Sequence, residues 1–249
     1  MTTQIFTGDC LTEMQRIAAS SVDMVLCDLP YGQTQNAWDK VIDMSAMWAQ
    51  LRRVTKPSAA IVLMAAQPFA SRLIASNEGE FRYDLIWRKN KPTGFLNANR
   101  QPLRIHEHIL VFYRAQPFYE AQKTDGHKNK TGYKRSQIGT NYGAVQDATK
   151  RWEGGSIRHP VSVLDIPVIN NDDGAKVHPT QKPVALMEWL IRSYSRPGET
   201  VLDCTMGAGS TGVAAVLQGR SFIGIDMNPE YVAVARSRIE AVQPMLAVG

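Results

Sequence analysis

The segment 199–226 constrains the fold of this chain more than any other part of its sequence. Residues 199–203 (ETVLD) predict a strand, the loop CTMGAGSTG follows at 204–212, a helix continues to about residue 218, and a second strand at 221–226 ends on Asp226. A strand, a glycine loop, a helix and a second strand predict an α/β fold with parallel strands. Gly207 and Gly209 let the backbone approach a ligand at the helix N-terminus, and Asp226 lies where a ribose would bind. We therefore predict a nucleoside-cofactor site.

Two common nucleotide-binding patterns, the NAD pattern and the P-loop, do not describe this loop well. Its glycines follow the NAD pattern G-x-G-x-x-G only if Gly212 is counted, and no Gly-Lys-Ser/Thr sequence is present, which excludes a P-loop. An NAD-dependent oxidoreductase remains as an alternative function at this point. Whether the purified protein binds NADH would test this alternative.

A second feature is the apolar stretch from Val22, which ends on the sequence Asp28-Leu29-Pro30-Tyr31. In an open α/β sheet, ligands bind beyond the carboxyl ends of the strands. The Asp28 carboxylate and the Leu29 carbonyl could accept two hydrogen bonds from one NH2 group, and Tyr31 could stack on the ring that bears it. Pro30 fixes φ and stiffens the turn. This ending favours a seat for an exocyclic amine, although Asp-x-Pro is also a common way to end a strand.

Length and composition place these features in one domain. A chain of 249 residues can form one substantial α/β domain with an insertion. The first residues carry no secretory signal pattern, and the longest apolar run, 59–66, is too short to span a bilayer. Cys10, Cys27 and Cys204 show no metal-ligand spacing. We expect a reduced, cytoplasmic protein without a metal.

The remaining periodicity predicts alternating strands and helices around a long irregular stretch. Apolar alternation or continuous apolar runs predict strands at 4–7, 22–28, 59–64, 83–87 and 108–113. Helical spacing predicts helices at 11–19, 44–54, 68–76, 184–195 and 229–242. Between 116 and 175 the periodicity disappears, and no element is predicted there.

The irregular stretch carries most of the positive charge. Residues 116–160 contain eight basic and four acidic side chains, which is +4 of the net charge of +5, with three tyrosines and one tryptophan interleaved among them. Basic side chains mixed with aromatic rings on an irregular stretch favour a nucleic-acid surface, although a solvated loop could carry the same charge. The candidate DNA-binding residues are Lys123, Lys128, Lys130, Lys134, Arg135, Lys150, Arg151 and Arg158.

Four motifs in this order resemble those of the β class of amino-DNA methyltransferases, and most of all its short phage- and prophage-type members. They are D-L-P-Y at 28–31, H-P-T-Q-K-P at 178–183, D-x-x-M-G-A-G-S-T-G at 203–212 and G-I-D-M-N-P-E-Y at 224–231. The resemblance covers nearly the whole chain and implies methylation of adenine N6 or cytosine N4 in DNA with S-adenosylmethionine. The family usually has a second proline where Leu29 stands. It also has D-P-F-x-G-S-G-T-T where this chain has D-C-T-M-G-A-G-S-T, so contacts from that phenylalanine cannot be carried over.

The resemblance also implies roles for individual residues. Asp28, the Leu29 carbonyl, Pro30 and Tyr31 would form the catalytic turn, with Tyr31 stacked on a flipped base. Asp9 would lie near the cofactor adenine, Asp226 would hold the ribose, and the HPTQKP motif would meet the methionine end. The cofactor-binding set is Asp9, Asp28, His178, Thr180, Lys182, Asp203, Met206, Gly207, Gly209, Ser210, Thr211 and Asp226.

The motif order further implies a permuted Rossmann-like methyltransferase domain with a mostly parallel, seven-stranded sheet. We expect a catalytic half at 1–115, a target-recognition insertion at 116–175 and a cofactor-binding half at 176–249. Because the chain ends after the second strand of the usual sheet, the strand at 4–7 must supply the third. It should pair beside the strand at 221–226.

The function predicted is a site-specific DNA adenine-N6 methyltransferase that acts on double-stranded DNA, because an aspartate opens the catalytic motif where cytosine-N4 enzymes more often have serine. Alternatives are an N4-cytosine enzyme, an RNA or protein-amide methyltransferase, and a non-catalytic DNA-binding module. No cysteine nucleophile is expected, and His106 and His108 share a strand face without an evident third metal ligand. We expect a homodimer. The sequence predicts neither the recognition sequence nor whether a restriction enzyme accompanies the protein.

Overall fold

A computed structural model describes residues 1–32, 40–126, 156–169 and 181–246 of the chain. In this part the strands are β1 (Thr3–Thr7), β2 (Val22–Asp28), β3 (Thr55–Ala65), β4 (Phe81–Thr93), β5 (Arg104–Phe112), β6 (Val163–Asp165), β7 (Thr200–Asp203) and β8 (Ser221–Asp226). The helices are α1 (Cys10–Met14), α2 (Met44–Val54), α3 (Phe69–Ser76), α4 (Val184–Tyr194), α5 (Ser210–Leu217) and α6 (Pro229–Leu246). The predicted strands are therefore confirmed within a few residues, and so are the predicted helices apart from the one at 11–19. β4 and β5 extend further than the apolar pattern indicated.

The strands form one sheet in the order β1-β8-β7-β2-β3-β5-β4-β6. Among the described strands, only β5 runs antiparallel to its neighbours, β3 and β4. β1 pairs in parallel with β8, with Thr7 opposite Asp226, so the predicted joining of the two ends of the chain is confirmed. The permuted, mostly parallel α/β fold is therefore present.

The sheet has eight strands in the described residues, so the prediction of seven was wrong. The additional strand is β6, which pairs in parallel with β4. Arg88 of β4 and Asp165 of β6 form a surface ion pair. Three residues with one buried side chain carry too little periodicity to be recognised as a strand. Pairing with β4, which is a non-local interaction, is what makes this segment extended.

The predicted helix at 11–19 was also wrong in its length, because α1 ends at Met14. The guanidinium group of Arg53, on α2, donates hydrogen bonds to the carbonyl oxygens of Met14 and Ile17 at 2.6 and 2.8 Å. The Met14 carbonyl also accepts from the backbone N–H of Ile17, whereas the Ile17 carbonyl, which a longer helix would satisfy internally, is satisfied by the neighbouring element.

Both faces of the sheet are covered, which explains the continuous apolar runs of its central strands. Along β2, Met24 and Leu26 pack in a cluster with α4, α5 and α6, whereas Val25 and Cys27 pack in a second cluster with α1, α2 and α3. Side chains alternate between the faces of a strand, so each face receives half of the apolar residues. Because β8, β7 and β2 are adjacent and parallel, their carboxyl ends lie side by side at one edge of this doubly covered sheet.

Residues 121–161 form a second compact unit, of which the structure describes 121–126 and 156–161. In this unit Thr124 and Arg158 form an antiparallel bridge through their backbones, and the backbone N–H of Lys123 donates to the carbonyl oxygen of Ala121. Six of the candidate DNA-binding residues lie outside the described residues: Lys128, Lys130, Lys134, Arg135, Lys150 and Arg151.

Candidate active site

A cavity of about 440 Å³ lies at the carboxyl ends of β2, β7 and β8. Its volume is in the range of small-molecule and cofactor sites. The predicted residues that line it are Asp9, Asp28, Leu29, Pro30, Lys182, Asp203, Met206, Gly207, Ser210, Thr211 and Asp226. The fold thus brings together residues from three distant parts of the sequence. His178 and Thr180 lie outside the described residues.

The catalytic turn begins at Asp28, whose carboxylate is held on both oxygens. Lys182 Nζ lies 2.6 Å from Asp28 Oδ2, and the Tyr31 hydroxyl donates to Asp28 Oδ1 at 2.6 Å. The hydroxyl of Thr205 donates to the backbone carbonyl oxygen of Asp28 at 3.0 Å, which ties the end of β2 to the glycine loop. Each carboxylate oxygen has two lone pairs, so this network leaves acceptor capacity for a substrate amine.

Tyr31 does not line the cavity, although it was predicted as part of the catalytic turn. Its ring packs on Phe69, with ring centroids 5.3 Å apart and an interplanar angle of 30°. The side chain is half-buried and reaches the site through its hydroxyl contact with Asp28. Phe69 and Asp28 therefore fix both the ring and the hydroxyl of Tyr31 beside the cavity.

Behind Asp28 lies a buried line of alternating charges that the sequence analysis did not identify. Lys182 Nζ lies 3.4 Å from Glu107 Oε2, and Glu107 Oε1 accepts a hydrogen bond from Lys89 at 2.9 Å. The side chains of Lys89, Glu107 and Lys182 are only 7, 14 and 11% exposed. Together with Asp28 they form two negative and two positive charges in a row, which we call the charge line.

The charge line keeps Glu107 and Lys182 ionised despite burial. Burial alone would raise the pKa of Glu107, but Lys182 and Lys89 hold that pKa below its ordinary value. Burial alone would lower the pKa of Lys182, but Asp28 and Glu107 raise it above its ordinary value. An opposite charge within a few ångströms favours the charged form of a group. Lys182 is therefore a permanent cation next to Asp28.

A sequence signal for the charge line existed but was ambiguous. Lys89 follows Trp87 by two residues and Glu107 precedes Ile109 by two, so each charged side chain lies on the same strand face as a buried apolar residue. The register places Trp87 opposite Glu107, which brings Lys89 within diagonal reach of that carboxylate. An inward-facing carboxylate and lysine on adjacent strands are the signal, but their pairing becomes visible only with the register.

The cofactor side of the cavity is built from the glycine loop and the end of β8. The backbone N–H groups of Gly207 and Asn228 donate to the two oxygens of Asp226, each at 2.9 Å. A β-carbon on Gly207 would meet open space, whereas one on Gly209 would lie 2.7 Å from the β-carbon of Ala235. Gly209 therefore packs the loop against α6 beneath the cavity and does not line it.

The residues of this cavity fit S-adenosylmethionine. Ser210 Oγ is buried at the cavity wall without a hydrogen-bond partner among the described residues, which leaves a polar atom available to a ligand. The carboxylates of Asp9, Asp28 and Asp226 suit a positively charged sulfonium and ribose hydroxyl groups. Four side chains outside the predicted cofactor-binding set also line the cavity and suit a purine ring; they are Val41, Ile42, Met227 and Tyr231.

Asp203 is a buried carboxylate at the end of β7 that also lines the cavity. Burial raises its pKa to about 7, and the hydrogen bonds that it accepts from the Thr211 hydroxyl and from the Thr205 backbone N–H, at 3.1 Å, only partly offset this effect. Between the ordinary pKa of an aspartate and pH 7, the folded protein consequently retains a proton on Asp203 that the unfolded chain has largely lost.

This difference predicts a pH-dependent stability. Because the folded-state pKa is raised, the contribution of Asp203 is fully present below the ordinary pKa of an aspartate and is lost as the pH rises toward 7, by at most about 1.4 kcal/mol per pH unit. We expect the free energy of unfolding to fall less between pH 5 and pH 7 in Asp203→Asn than in the wild type. Urea unfolding at several pH values measures this, and parallel curves for the two proteins would contradict it.

The cysteines lie together beneath the site. The thiols of Cys27 and Cys204 are 3.5 Å apart and buried, and Cys10 lines the cavity with Cys204. Burial is the main reason that the pKa of Cys27 is raised, which keeps it a thiol. A thiol of this kind is a packing residue.

The contacts of His106 and His108 do not indicate a metal site in the described structure. His108 Nδ1 lies 3.1 Å from Asp84 Oδ2, and the rings of the two histidines are 5.6 Å apart. Among the described residues, no group of three histidine, cysteine or acidic side chains could hold a metal ion. Within the same part of the chain, none of the helices combines the length and the hydrophobicity that crossing a membrane requires.

The sheet order, the glycine loop and the acidic strand end define a Rossmann-like fold of the class found in solved structures of DNA methyltransferases. Within this class, the family model for DNA methylases of the N6/N4 type matches residues 22–237, and the chain belongs to that family. The protein is therefore an S-adenosylmethionine-dependent DNA methyltransferase.

Three known proteins illustrate the similarity. The DNA adenine methyltransferase YhdJ of Escherichia coli is 29% identical over 95% of this chain and 82% of its own length. The complex of M1.HpyAVI with S-adenosylmethionine has a TM-score of 0.63 and 23% identity, over 95% of this chain and all of that one. The cytosine-N4-specific PvuII DNA methyltransferase has a TM-score of 0.69 and 18% identity, over 96% of this chain and 86% of that one.

Proposed function

We propose that the protein methylates the exocyclic N6 of adenine at a specific sequence in double-stranded DNA. The observation that carries this proposal is that Asp28 and Leu29, at the end of β2, line the cofactor cavity. The resemblance of the chain to YhdJ, a DNA adenine methyltransferase, supports adenine as the target. The resemblance of the fold to the cytosine-N4-specific PvuII enzyme supports cytosine N4 as the second candidate.

The target amine needs help because its lone pair is delocalised into the aromatic ring. In the proposed mechanism, the Asp28 carboxylate and the Leu29 carbonyl accept one hydrogen bond each from the amine. Two acceptors arranged for a pyramidal nitrogen favour the geometry in which the lone pair can attack, which is differential binding of the transition state. When bound, S-adenosylmethionine supplies an electrophilic methyl group on a positively charged sulfur.

Lys182 has a positioning role in this proposal. Its ammonium group occupies Asp28 Oδ2, so the lone pair of Asp28 Oδ1 that Tyr31 does not use is left for the amine. After methylation the nitrogen is positively charged and acidic, and Asp28 Oδ1 accepts its proton or passes it to water.

A duplex hides the target nitrogen, so the base must leave the stack before it can react. Extrusion of a base costs a few kcal/mol, which stacking on an aromatic ring and phosphate contacts can offset. We propose that Tyr31 supplies the ring beside Asp28. Basic side chains of the insertion at 116–175, among them Lys123 and Arg158, are proposed to contact phosphates, and a homodimer is proposed as the assembly.

The test is to identify the methylated nucleoside. The purified protein is incubated with unmethylated DNA and isotopically labelled S-adenosylmethionine, and the DNA is digested to nucleosides and separated. We expect label in N6-methyladenine, and mapping of the methylated positions then yields the recognition sequence. Label in N4-methylcytosine would replace adenine by cytosine and keep the mechanism, whereas label only in RNA or protein controls would contradict a DNA substrate.

A further inference from the structure

The connection between β4 and β5 exposes apolar side chains to solvent at its tip. Its residues 94–103 contain a short 3-10 turn, Phe95–Asn97, in which Leu96 is fully exposed and Phe95 is 65% exposed. Isolated exposed apolar residues are common, but two adjacent ones at the end of an extended hairpin are an unusual use of apolar surface. We call residues 94–97 the hairpin tip.

The hairpin tip lies beyond the edge of the sheet that carries the active site. Met64 pairs with Asp28 on one side and with Ile109 on the other, so residues of β5 that precede Ile109 continue past the level of Asp28. The guanidinium group of Arg104, the first residue of β5, donates to the carbonyl oxygen of Gln67 just after β3. The base of the hairpin is thus anchored at the catalytic edge, and its tip projects past it.

Charge distinguishes this surface from a protein-docking patch. Residues 88–104 contain five basic and no acidic side chains. Arg88 and Lys89 are paired with Asp165 and Glu107, whereas Lys91 and Arg100 are exposed and form no ion pair among the described residues. An apolar tip flanked by unpaired cations complements a nucleic acid, which offers stacked bases between two rows of phosphates.

We propose that the hairpin tip inserts between base pairs at the target site and holds open the space that the extruded base leaves. Leu96 and Phe95 contact the neighbouring bases, and Lys91, Arg100 and Arg104 contact phosphates. Apolar side chains that enter a base stack are a known way to deform a duplex. This inference rests on the proposed methylation of double-stranded DNA and assigns part of the base-extrusion step to a segment outside the cofactor cavity.

The test compares two duplexes that contain the mapped recognition site. One is fully paired, and in the other the target base lies opposite an abasic position, so that it is already unpaired. We expect Phe95→Ala/Leu96→Ala to lower kcat/KM at least tenfold on the paired duplex and less than threefold on the other. Val163→Ala, which shortens an exposed apolar side chain on β6, serves as the matched control and is expected to behave as the wild type on both.

The outcomes separate this inference from the proposed function. An equal loss on both duplexes, or no loss on either, would overturn the role of the hairpin tip while leaving DNA methylation intact. A wild-type protein that methylates neither duplex would contradict the proposed function and this inference with it. Fluorescence of 2-aminopurine at the target position reports unstacking directly, and we expect its increase on binding to be smaller in the double variant than in the wild type.

Discussion

Asp28→Asn is expected to lower the rate of methyl transfer by about 10²–10³-fold and to leave the affinity for S-adenosylmethionine within a few-fold of the wild type. The magnitude is typical for the loss of one preorganised electrostatic group at a reacting centre. Asparagine keeps the shape of the side chain but removes the charge that Lys182 and the target amine share. Single-turnover rates and calorimetric titration of the cofactor measure the two effects separately.

A matched control lies at the opposite end of the same strand. Asp23 lies near the start of β2, where its carboxylate accepts hydrogen bonds from Lys56 at 2.6 Å and from the backbone N–H of Thr200 at 3.0 Å. Asp23→Asn makes the same chemical change far from the cavity, so we expect some loss of stability and no loss of single-turnover rate in the folded protein. Equal rates for Asp28→Asn and Asp23→Asn would exclude Asp28 from the chemistry.

The second large effect is expected from Glu107→Gln, which we expect to lower the free energy of unfolding by about 3–5 kcal/mol. Removal of one member of a buried ion pair leaves an uncompensated buried charge, and here Lys89 and Lys182 would both lose their shared partner. We also expect slower methyl transfer at temperatures where the variant is folded, because Lys182 would no longer be held between two carboxylates. Urea unfolding and single-turnover rates measure these changes.

A double variant tests the charge line as a unit. Lys89→Met/Glu107→Gln removes one positive and one negative charge and leaves the Asp28–Lys182 pair balanced. We expect the double variant to recover a large part of the stability that Glu107→Gln loses, since residues of one ion-pair network have non-additive effects. The single variants Lys89→Met and Glu107→Gln are measured beside it. If the double variant loses as much stability as the two single variants together, or more, the charges act independently.

Prediction from the sequence succeeded where the determining interactions are local. The strand, glycine loop, helix and strand at 199–226 were correct because periodicity, loop composition and a terminal carboxylate all lie within a short window. It failed at β6, which is extended only because it pairs with β4, and at the end of α1, where Arg53 satisfies the carbonyl groups from a distance. In both cases a non-local partner replaced the local preference.

The candidate site divides in the same way. The class of fold and the residues at the ends of β2, β7 and β8 were predictable from the sequence, because strand ends and turn residues are specified by their neighbours in the chain. The contact of Lys182 with Asp28, 154 residues away, and the completion of the charge line by Lys89 and Glu107 became visible only in the folded chain. Such contacts depend on strand order and register, and these are set by the packing of the whole sheet.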